Sequence, residues 1–289
     1  NGLMQKNSSL INLFQLNIAV LIISTSGALG RFIELPVPII IALRTCLGAV
    51  PLILFCKYKK LSFKIQKKDR FTILVSSILM GTHWITYFIS LKLSSVAIGM
   101  LSVFTYPVIT SFLEPLMLNN KFKKSNLFLG LMVIVGIYFL VPEFDLENNH
   151  FKAIGFGVFS AFCYSIRNIF MKKKANEYEG SILMAYQLII VSVLLSPVFF
   201  IYDMTGLKDS IPAILILAFL TTATGHTLFI YSFRNFTIST ASIISSIQPV
   251  YGIIIGMIVL GEFPILNTIF GGFLILGTVI FESVRSYKT

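Results

Sequence analysis

Long runs of apolar residues dominate this sequence of 289 residues. A helix of about 20 residues is long enough to cross the hydrocarbon core of a bilayer, and only helices or closed barrels satisfy the backbone there. Runs of this length are therefore predicted to be membrane-spanning helices. There are ten of them, with approximate limits 13–33, 36–56, 71–91, 95–118, 126–142, 153–171, 181–202, 211–233, 240–260 and 264–284.

The composition excludes a soluble fold. Hydrophobic residues make up 56% of the chain and charged residues 12%, with a mean hydropathy of +0.86. A soluble domain with this composition would expose large apolar patches and aggregate. The three cysteines, Cys46, Cys56 and Cys163, lie inside apolar runs without disulfide or metal-ligand spacing, so we expect them to be buried. The sequence predicts an all-α integral membrane protein without a metal or cofactor.

The basic residues are distributed unequally between alternate connections. With a cytoplasmic N-terminus, seventeen of the 23 Lys and Arg residues fall in the predicted inside segments and four in the outside segments. This asymmetry follows the positive-inside rule and predicts ten helices in a cytoplasmic (inner) membrane, with both termini cytoplasmic. It also accounts for the net charge of +11 without a nucleic-acid partner.

The two halves of the chain contain an internal repeat. Tyr106-Pro107-Val108 and Gln248-Pro249-Val250 are 142 residues apart, and Ser90 and Ser232 share that offset. We therefore predict a cytoplasmic tail at 1–12 followed by two five-helix repeats at 13–142 and 153–284. Because five is odd, the second repeat enters the membrane upside down. Inverted repeats of this kind are typical of secondary transporters.

Several of these segments resemble the EamA-domain transporters of the drug/metabolite transporter superfamily. The resemblance rests on Arg44, the run from Ala97 to Pro107, the stretch from Ser239 to Pro249, and Leu260-Gly261-Glu262 before a glycine-rich last run. It covers nearly the whole chain and implies ten helices in two repeats, with export of metabolites or amino acids as the commonest role. The acidic residue is missing from the equivalent Leu118-Asn119-Asn120.

Arg44 lies about 12 Å inside the second run, at 1.5 Å per residue. A guanidinium at that depth is costly and is a candidate functional group by default. It is predicted to bind a substrate carboxylate or phosphate. The alternative is a structural arginine that donates to backbone carbonyls or extends to the outer surface.

Histidines and aromatic residues occur near the middle of the third run. His83 and Tyr87 are four residues apart and share one helix face, and Trp84 lies too deep for an interfacial anchor. His226 occupies a comparable depth in the eighth run. These histidines either relay protons or bond to a neighbouring helix. Trp84 is predicted to form a cavity wall.

Two prolines and one carboxylate are also candidates. Pro107 and Pro249 fall inside spans and are predicted to act as gating hinges or, alternatively, as packed kinks. Glu114 is expected to pair with Arg167, although proton binding and an interaction with the loop at Lys121 are alternatives.

These features predict a secondary transporter that exports small organic metabolites, most often amino acids or related compounds, by alternating access. The alternative is an uptake carrier for a nutrient or a cationic metabolite such as a quaternary amine. A membrane enzyme would need clustered His, Asp or Glu at one face, and a scaffold would not need a repeat. The expected partners are a small-molecule substrate and membrane lipid, for a monomer or homodimer. The predicted substrate-binding residues are Arg44, His83, Trp84, Tyr87, Tyr106, Tyr164, His226, Gln248 and Tyr251, with Pro107 and Pro249 as gates and His83, Glu114 and His226 as possible proton-coupling groups.

Overall fold

The protein is a bundle of helices. The computed structural model describes residues 2–118, 122, 124–140, 145, 147–236, 241 and 244–287, and no β-strand occurs among them. The predicted all-α architecture is confirmed for these residues. The helices are α1 (Gly2–Phe32), α2 (Val37–Tyr58), α3 (Arg70–Leu93), α4 (Val96–Val103), α5 (Tyr106–Leu118), α6 (Ser125–Leu140), α7 (Asn149–Lys174), α8 (Gly180–Leu195), α9 (Leu207–Leu215), α10 (His226–Ser232), α11 (Gln248–Leu260) and α12 (Leu266–Tyr287).

Seven helical stretches are long and apolar enough to cross a membrane. They are Ile11–Phe32, Val37–Tyr58, Lys67–Leu93, Val96–Leu118, Asn149–Lys174, Gly180–Phe200 and Leu207–Ser232. Three shorter apolar helices span Leu127–Leu140, Ser245–Leu260 and Leu266–Thr278. Each of the ten overlaps one predicted apolar run, while the count of ten membrane-spanning helices stays a prediction.

Two of the apolar stretches are interrupted just before a proline. A turn at Phe104 and Thr105 separates α4 from α5, and a 3₁₀ turn precedes α11. Pro107 and Pro249 are therefore the second residues of α5 and α11. A proline is tolerated in the first turn of a helix because its missing N–H has no partner there. Both prolines therefore begin helices, so the alternative of packed kinks inside a helix is not observed at these positions, and the gating role stays a prediction.

A π-helix connects α9 to α10. It spans Ile216–Gly225, and the hydroxyls of Thr222 and Thr224 donate to the carbonyls of Leu217 and Phe219, five residues back, at 2.6 and 3.0 Å. Such wide turns are rare and often lie at functional sites. This one ends directly before His226.

Helices cross closely near the centre of the bundle. A Cβ built on Gly157 of α7 would lie 2.4 Å from the Cβ of Ser102 in α4, and one on Gly252 of α11 would lie 2.0 Å from the Sδ of Met100. A side chain at Gly157 would push α4 away from α7, whereas one at Gly252 would first displace the flexible side chain of Met100. These close approaches place α4 against α7 and α11.

The outer surface of the bundle is apolar, as a lipid solvent requires. Exposed side chains include those of Phe14, Phe200 and Ile258. Cys56 and Cys163 are buried as expected, but Cys46 is exposed, so the expectation of burial is wrong for that residue.

Candidate functional site

A small enclosed cavity lies where seven helices meet. It measures about 30 Å³, which is enough for about one or two water molecules. Seven of the predicted substrate-binding residues line it: His83, Trp84, Tyr87, Tyr106, Tyr164, His226 and Gln248. Five further lining residues were not predicted: Ile23, Ser26, Met100, Val103 and Phe104.

Aromatic rings form a column along one side of the cavity. The rings of Tyr87 and His83 are stacked with centroids 6.1 Å apart, and the rings of His83 and Tyr164 are stacked at 4.3 Å. Tyr106 meets Tyr164 edge-on at 5.0 Å. The four-residue spacing in α3 puts His83 and Tyr87 on one face, as predicted, and the crossing with α7 adds Tyr164. The result is a wall that can contact a solute with π faces and phenol groups.

Hydrogen bonds join the cavity residues to neighbouring helices. The Nδ1 of His83 lies 2.8 Å from the Oγ of Ser160 in α7, and the hydroxyl of Tyr106 lies 2.9 Å from the Oγ of Ser245. Trp84 and His226 meet edge-to-face at 5.4 Å. The Nδ1 of His226 has no hydrogen-bond partner within the described part of the chain. The two histidines therefore differ, because among the described residues only His83 has a hydrogen-bond partner for its Nδ1, on the neighbouring helix α7.

Arg44 is fully buried and lies behind the cavity wall. Its Cζ is 4.5 Å from the ring centroid of Trp84 and 5.3 Å from that of Phe88, close enough for cation–π interactions. Its Nε donates to the Oγ1 of Thr222 at 2.9 Å. Counting only residues that the structure describes, neither Nη1 nor Nη2 has a hydrogen-bond partner. The sequence also allowed a structural arginine that donates to backbone carbonyls or extends to the outer surface. Among the described residues Arg44 donates to no carbonyl, and its side chain does not reach the surface.

A second fully buried arginine, Arg167, donates from each of its three guanidinium nitrogens. The Nε and Nη2 of Arg167 donate to the Oε1 of Gln187 at 3.0 and 2.8 Å, and Nη1 donates to the Oδ1 of Asn168 at 2.9 Å. The expected ion pair between Arg167 and Glu114 is not among the salt bridges of the described residues, and Arg167 instead donates to amide oxygens of α7 and α8. The sequence did not indicate these partners.

The remaining predicted residues lie outside the cavity lining. Tyr251 is partly exposed on α11, and Glu114 is partly buried in α5. Pro107 and Pro249 are buried at the starts of their helices, each next to a lining residue. The structure does not bring these four side chains to the cavity.

At one end of the bundle, Glu262 of the Leu260-Gly261-Glu262 motif contacts two other helices. The Oε1 of Glu262 accepts from the Nε of Arg31 at 2.9 Å, and its Oε2 accepts from the backbone N–H of Val96 at 2.9 Å. The ammonium of Lys92 donates to the backbone carbonyl of Arg31 at 3.2 Å. A polar pocket of about 540 Å³, lined in part by Arg31 and Glu262, lies at this end. The sequence identified Glu262 as a motif residue but did not indicate its partners.

The opposite end of the bundle is held by a different set of contacts. The ammonium of Lys174 lies 2.8 Å from the Oδ1 of Asp69, and the phenol of Tyr178 donates to Oδ2 at 2.6 Å. Burial and this carboxylate raise the pKa of Tyr178 above its usual value. The Nε of Arg234 donates to the carbonyl of Ala175 at 2.8 Å. Polar contacts thus lie at both ends of the bundle, and the central volume between them is only about 30 Å³.

An apolar helical bundle around an aromatic-lined polar centre is typical of membrane solute carriers. Comparison with known proteins identifies the family within this class. The model of the EamA-like transporter family matches residues 11–141 and 151–283. The chain belongs to that family and is a membrane transporter.

Two known proteins are similar to this chain, one in sequence and one in fold. The chain is 26% identical to "Uncharacterized transporter YoaV" of Bacillus subtilis (strain 168), in an alignment that covers 84% of this chain and 85% of the relative. A crystal structure superposes with a TM-score of 0.71 at 13% identity, covering 96% of this chain and 98% of the other. This second similarity is one of fold alone.

Proposed function

We propose that the protein is a secondary transporter that exports small organic metabolites by alternating access, with amino acids or related carboxylates as its substrates. In this proposal ten helices form two inverted five-helix repeats, 13–142 and 153–284, in the cytoplasmic membrane, with both termini cytoplasmic. The observation that carries the substrate class is the state of Arg44. This side chain is fully buried and keeps two guanidinium nitrogens without partners among the described residues.

A buried, unpaired guanidinium is costly and becomes favourable when an anion arrives. Removing a charge from water costs several kcal/mol unless an opposite charge and hydrogen bonds compensate for it. A carboxylate can accept from Nη1 and Nη2 at once, and such bidentate pairs are strong and directional. A substrate carboxylate would therefore gain more from Arg44 than from Arg167, whose donors are already used.

Trp84 connects Arg44 to the cavity. One face of its ring carries the guanidinium at 4.5 Å, while the residue also lines the cavity. The cavity of about 30 Å³ is much smaller than typical ligand pockets of about 300–1,000 Å³, so a solute requires an opened state. We propose that Trp84 moves during opening and exposes Arg44 to the solute. His83, Tyr87, Tyr106, Tyr164, His226 and Gln248 then contact the remainder of the solute.

A cationic solute is the second candidate, because the aromatic wall could hold a quaternary ammonium by cation–π interactions. No carboxylate lines the central cavity among the described residues, and two buried arginines lie nearby. This charge distribution favours the carboxylate. Proton coupling through His83 or His226 is part of the proposal, with His226 the better candidate because its Nδ1 is free of described partners.

The test is counterflow of labelled amino acids and quaternary amines into proteoliposomes. Wild type is compared with Arg44→Gln and with the control Lys208→Gln, which removes an exposed cation far from the cavity lining. We expect saturable amino-acid counterflow in wild type and control, and a loss of about 100-fold in Arg44→Gln, the size expected when a desolvated charge pair is broken. Normal counterflow in Arg44→Gln would overturn the carboxylate proposal. Counterflow of the amines alone would favour the cationic candidate.

A further inference from the structure

A second recess lies at the end of the bundle where α2 is connected to α3. It measures about 390 Å³ and is bounded by that connection, the start of α3 and the side of α8. Its walls are apolar, with Phe63, Ile65 and Ile73 among them, whereas Lys64 and Arg70 supply positive charge. We call this recess the basic crevice.

The connection is fixed against α8 by its own residue pattern. Phe63 and Ile65 are half-buried and pack on the core, while Lys64 between them is exposed, as in an extended chain with a period of two. The phenol of Tyr186 in α8 donates to the carbonyl of Phe63 at 2.6 Å, and the two rings meet edge-on at 6.3 Å. The basic crevice is thus a formed site with a defined wall.

The charge around the basic crevice is strongly positive. The segment 57–70 carries seven Lys and Arg residues and one carboxylate, Asp69. That carboxylate is occupied by Lys174 and Tyr178. Lys64 and Arg70 are exposed, and no salt bridge between described residues includes either of them. Two cations at the mouth of the crevice are therefore available to an anion.

The basic crevice lies at the boundary of the apolar spans, since α2 ends at Tyr58 and α3 begins at Arg70. A ligand that matches it has a negative headgroup and a hydrocarbon tail. A soluble phosphate compound would use the two cations but leave the walls formed by Phe63, Ile65 and Ile73 without a partner. We propose that the crevice binds one anionic phospholipid, with its phosphate between Lys64 and Arg70 and an acyl chain against the apolar wall.

Lipid binding to the full-length protein in neutral detergent tests this proposal, which does not depend on what the protein transports. Phosphatidylglycerol and phosphatidylcholine are titrated, and binding is measured by native mass spectrometry and by the thermal shift. The double variant Lys64→Gln/Arg70→Gln is compared with Lys59→Gln/Lys60→Gln, which removes the same charge from exposed positions outside the crevice lining.

We expect retention of one phosphatidylglycerol by wild type and by the Lys59/Lys60 variant, and binding about 10-fold or more weaker in the Lys64/Arg70 variant. Phosphatidylcholine should bind weakly to all three proteins. An equal loss in both double variants would mean diffuse attraction to a basic loop and would overturn the proposal. Equal stabilisation by glycerol 3-phosphate or inorganic phosphate would identify a soluble anion and would also overturn it. Thermal unfolding without lipid verifies that each variant is folded.

Discussion

Two arginines are completely buried in the part of the chain that the structure describes, and their surroundings differ. Arg167 donates from all three guanidinium nitrogens to the amide oxygens of Gln187 and Asn168. Toward the residues that the structure describes, Arg44 donates from Nε alone, to a threonine, and its guanidinium lies against aromatic rings. An arginine side chain therefore has acceptors for all three guanidinium nitrogens in one region and, among the described residues, for only one nitrogen in the other. Burial alone does not distinguish a structural arginine from one available to a ligand, whereas the use of its donors does.

The predicted repeat relates the two regions. When the offset is shifted by one residue to 143, the predicted repeat pairs Arg44 with Gln187, the partner of Arg167. On this predicted alignment, the position in the second half carries a neutral amide that accepts from another arginine. In the first half the position carries the charge itself. We interpret this difference as two roles. Arg167 links α7 to α8, and Arg44 in α2 retains hydrogen-bond donors for a solute.

The largest effect is expected from Arg167→Met. This change leaves the side chains of Gln187 and Asn168 buried without their charged partner, which we expect to lower the free energy of unfolding by about 3 kcal/mol. Chemical or thermal unfolding in detergent micelles measures it, with exposed Arg70→Met as the control. Stability equal to wild type would show that the network is not structural. It would then contradict the distinction between a structural Arg167 and an available Arg44.

Arg44→Met should have a smaller effect of opposite sign. Replacing an uncompensated buried charge by an apolar side chain of similar length is often neutral or stabilising, so we expect a gain of about 0–1 kcal/mol, with transport lost. Stability and counterflow are measured on the same preparation. A destabilisation as large as that of Arg167→Met would mean that Arg44 is also a structural residue.

Thr222→Val should have the smallest effect. It removes the one described hydrogen-bond acceptor of Arg44 while keeping the shape of the side chain. Bonds of this kind between membrane helices contribute about 0.6 kcal/mol on average, so we expect a loss of about that size. The control is Thr45→Val, because the hydroxyl of Thr45 bonds only within its own helix, to Ile41 and Ala42. A loss above about 2 kcal/mol in Thr222→Val would show that Arg44 depends on this bond for its position.

The sequence was sufficient for the presence of the helices and for seven of the twelve residues that line the cavity. Apolar runs near twenty residues can satisfy their backbone in lipid only as helices, so their existence followed from composition and length. The spacing of His83 and Tyr87 identified one face of α3, and both side chains do line the cavity with Trp84. Polar and aromatic residues inside apolar spans are rare enough to indicate the centre of such a bundle.

The contacts of individual charges could not be predicted. A helix that is apolar on all sides has no strong pattern to specify how far it rotates, so neither the position of Arg44 behind Trp84 nor the partners of Arg167 could be read from spacing. The helix break before Pro107 also went unnoticed, because a proline inside an apolar run predicts a kink as readily as a new first turn. The π-helix carries no recognisable sequence signal.

Glu262 fastens three separate parts of the chain with one side chain. One oxygen accepts from Arg31 at the end of α1, the other accepts from the first residue of α4, and the carboxylate itself follows α11. Because one carboxylate makes both contacts, movement of α11 away from α1 also disturbs the contact at the amino end of α4. Opening at this end therefore acts on three parts of the chain at once.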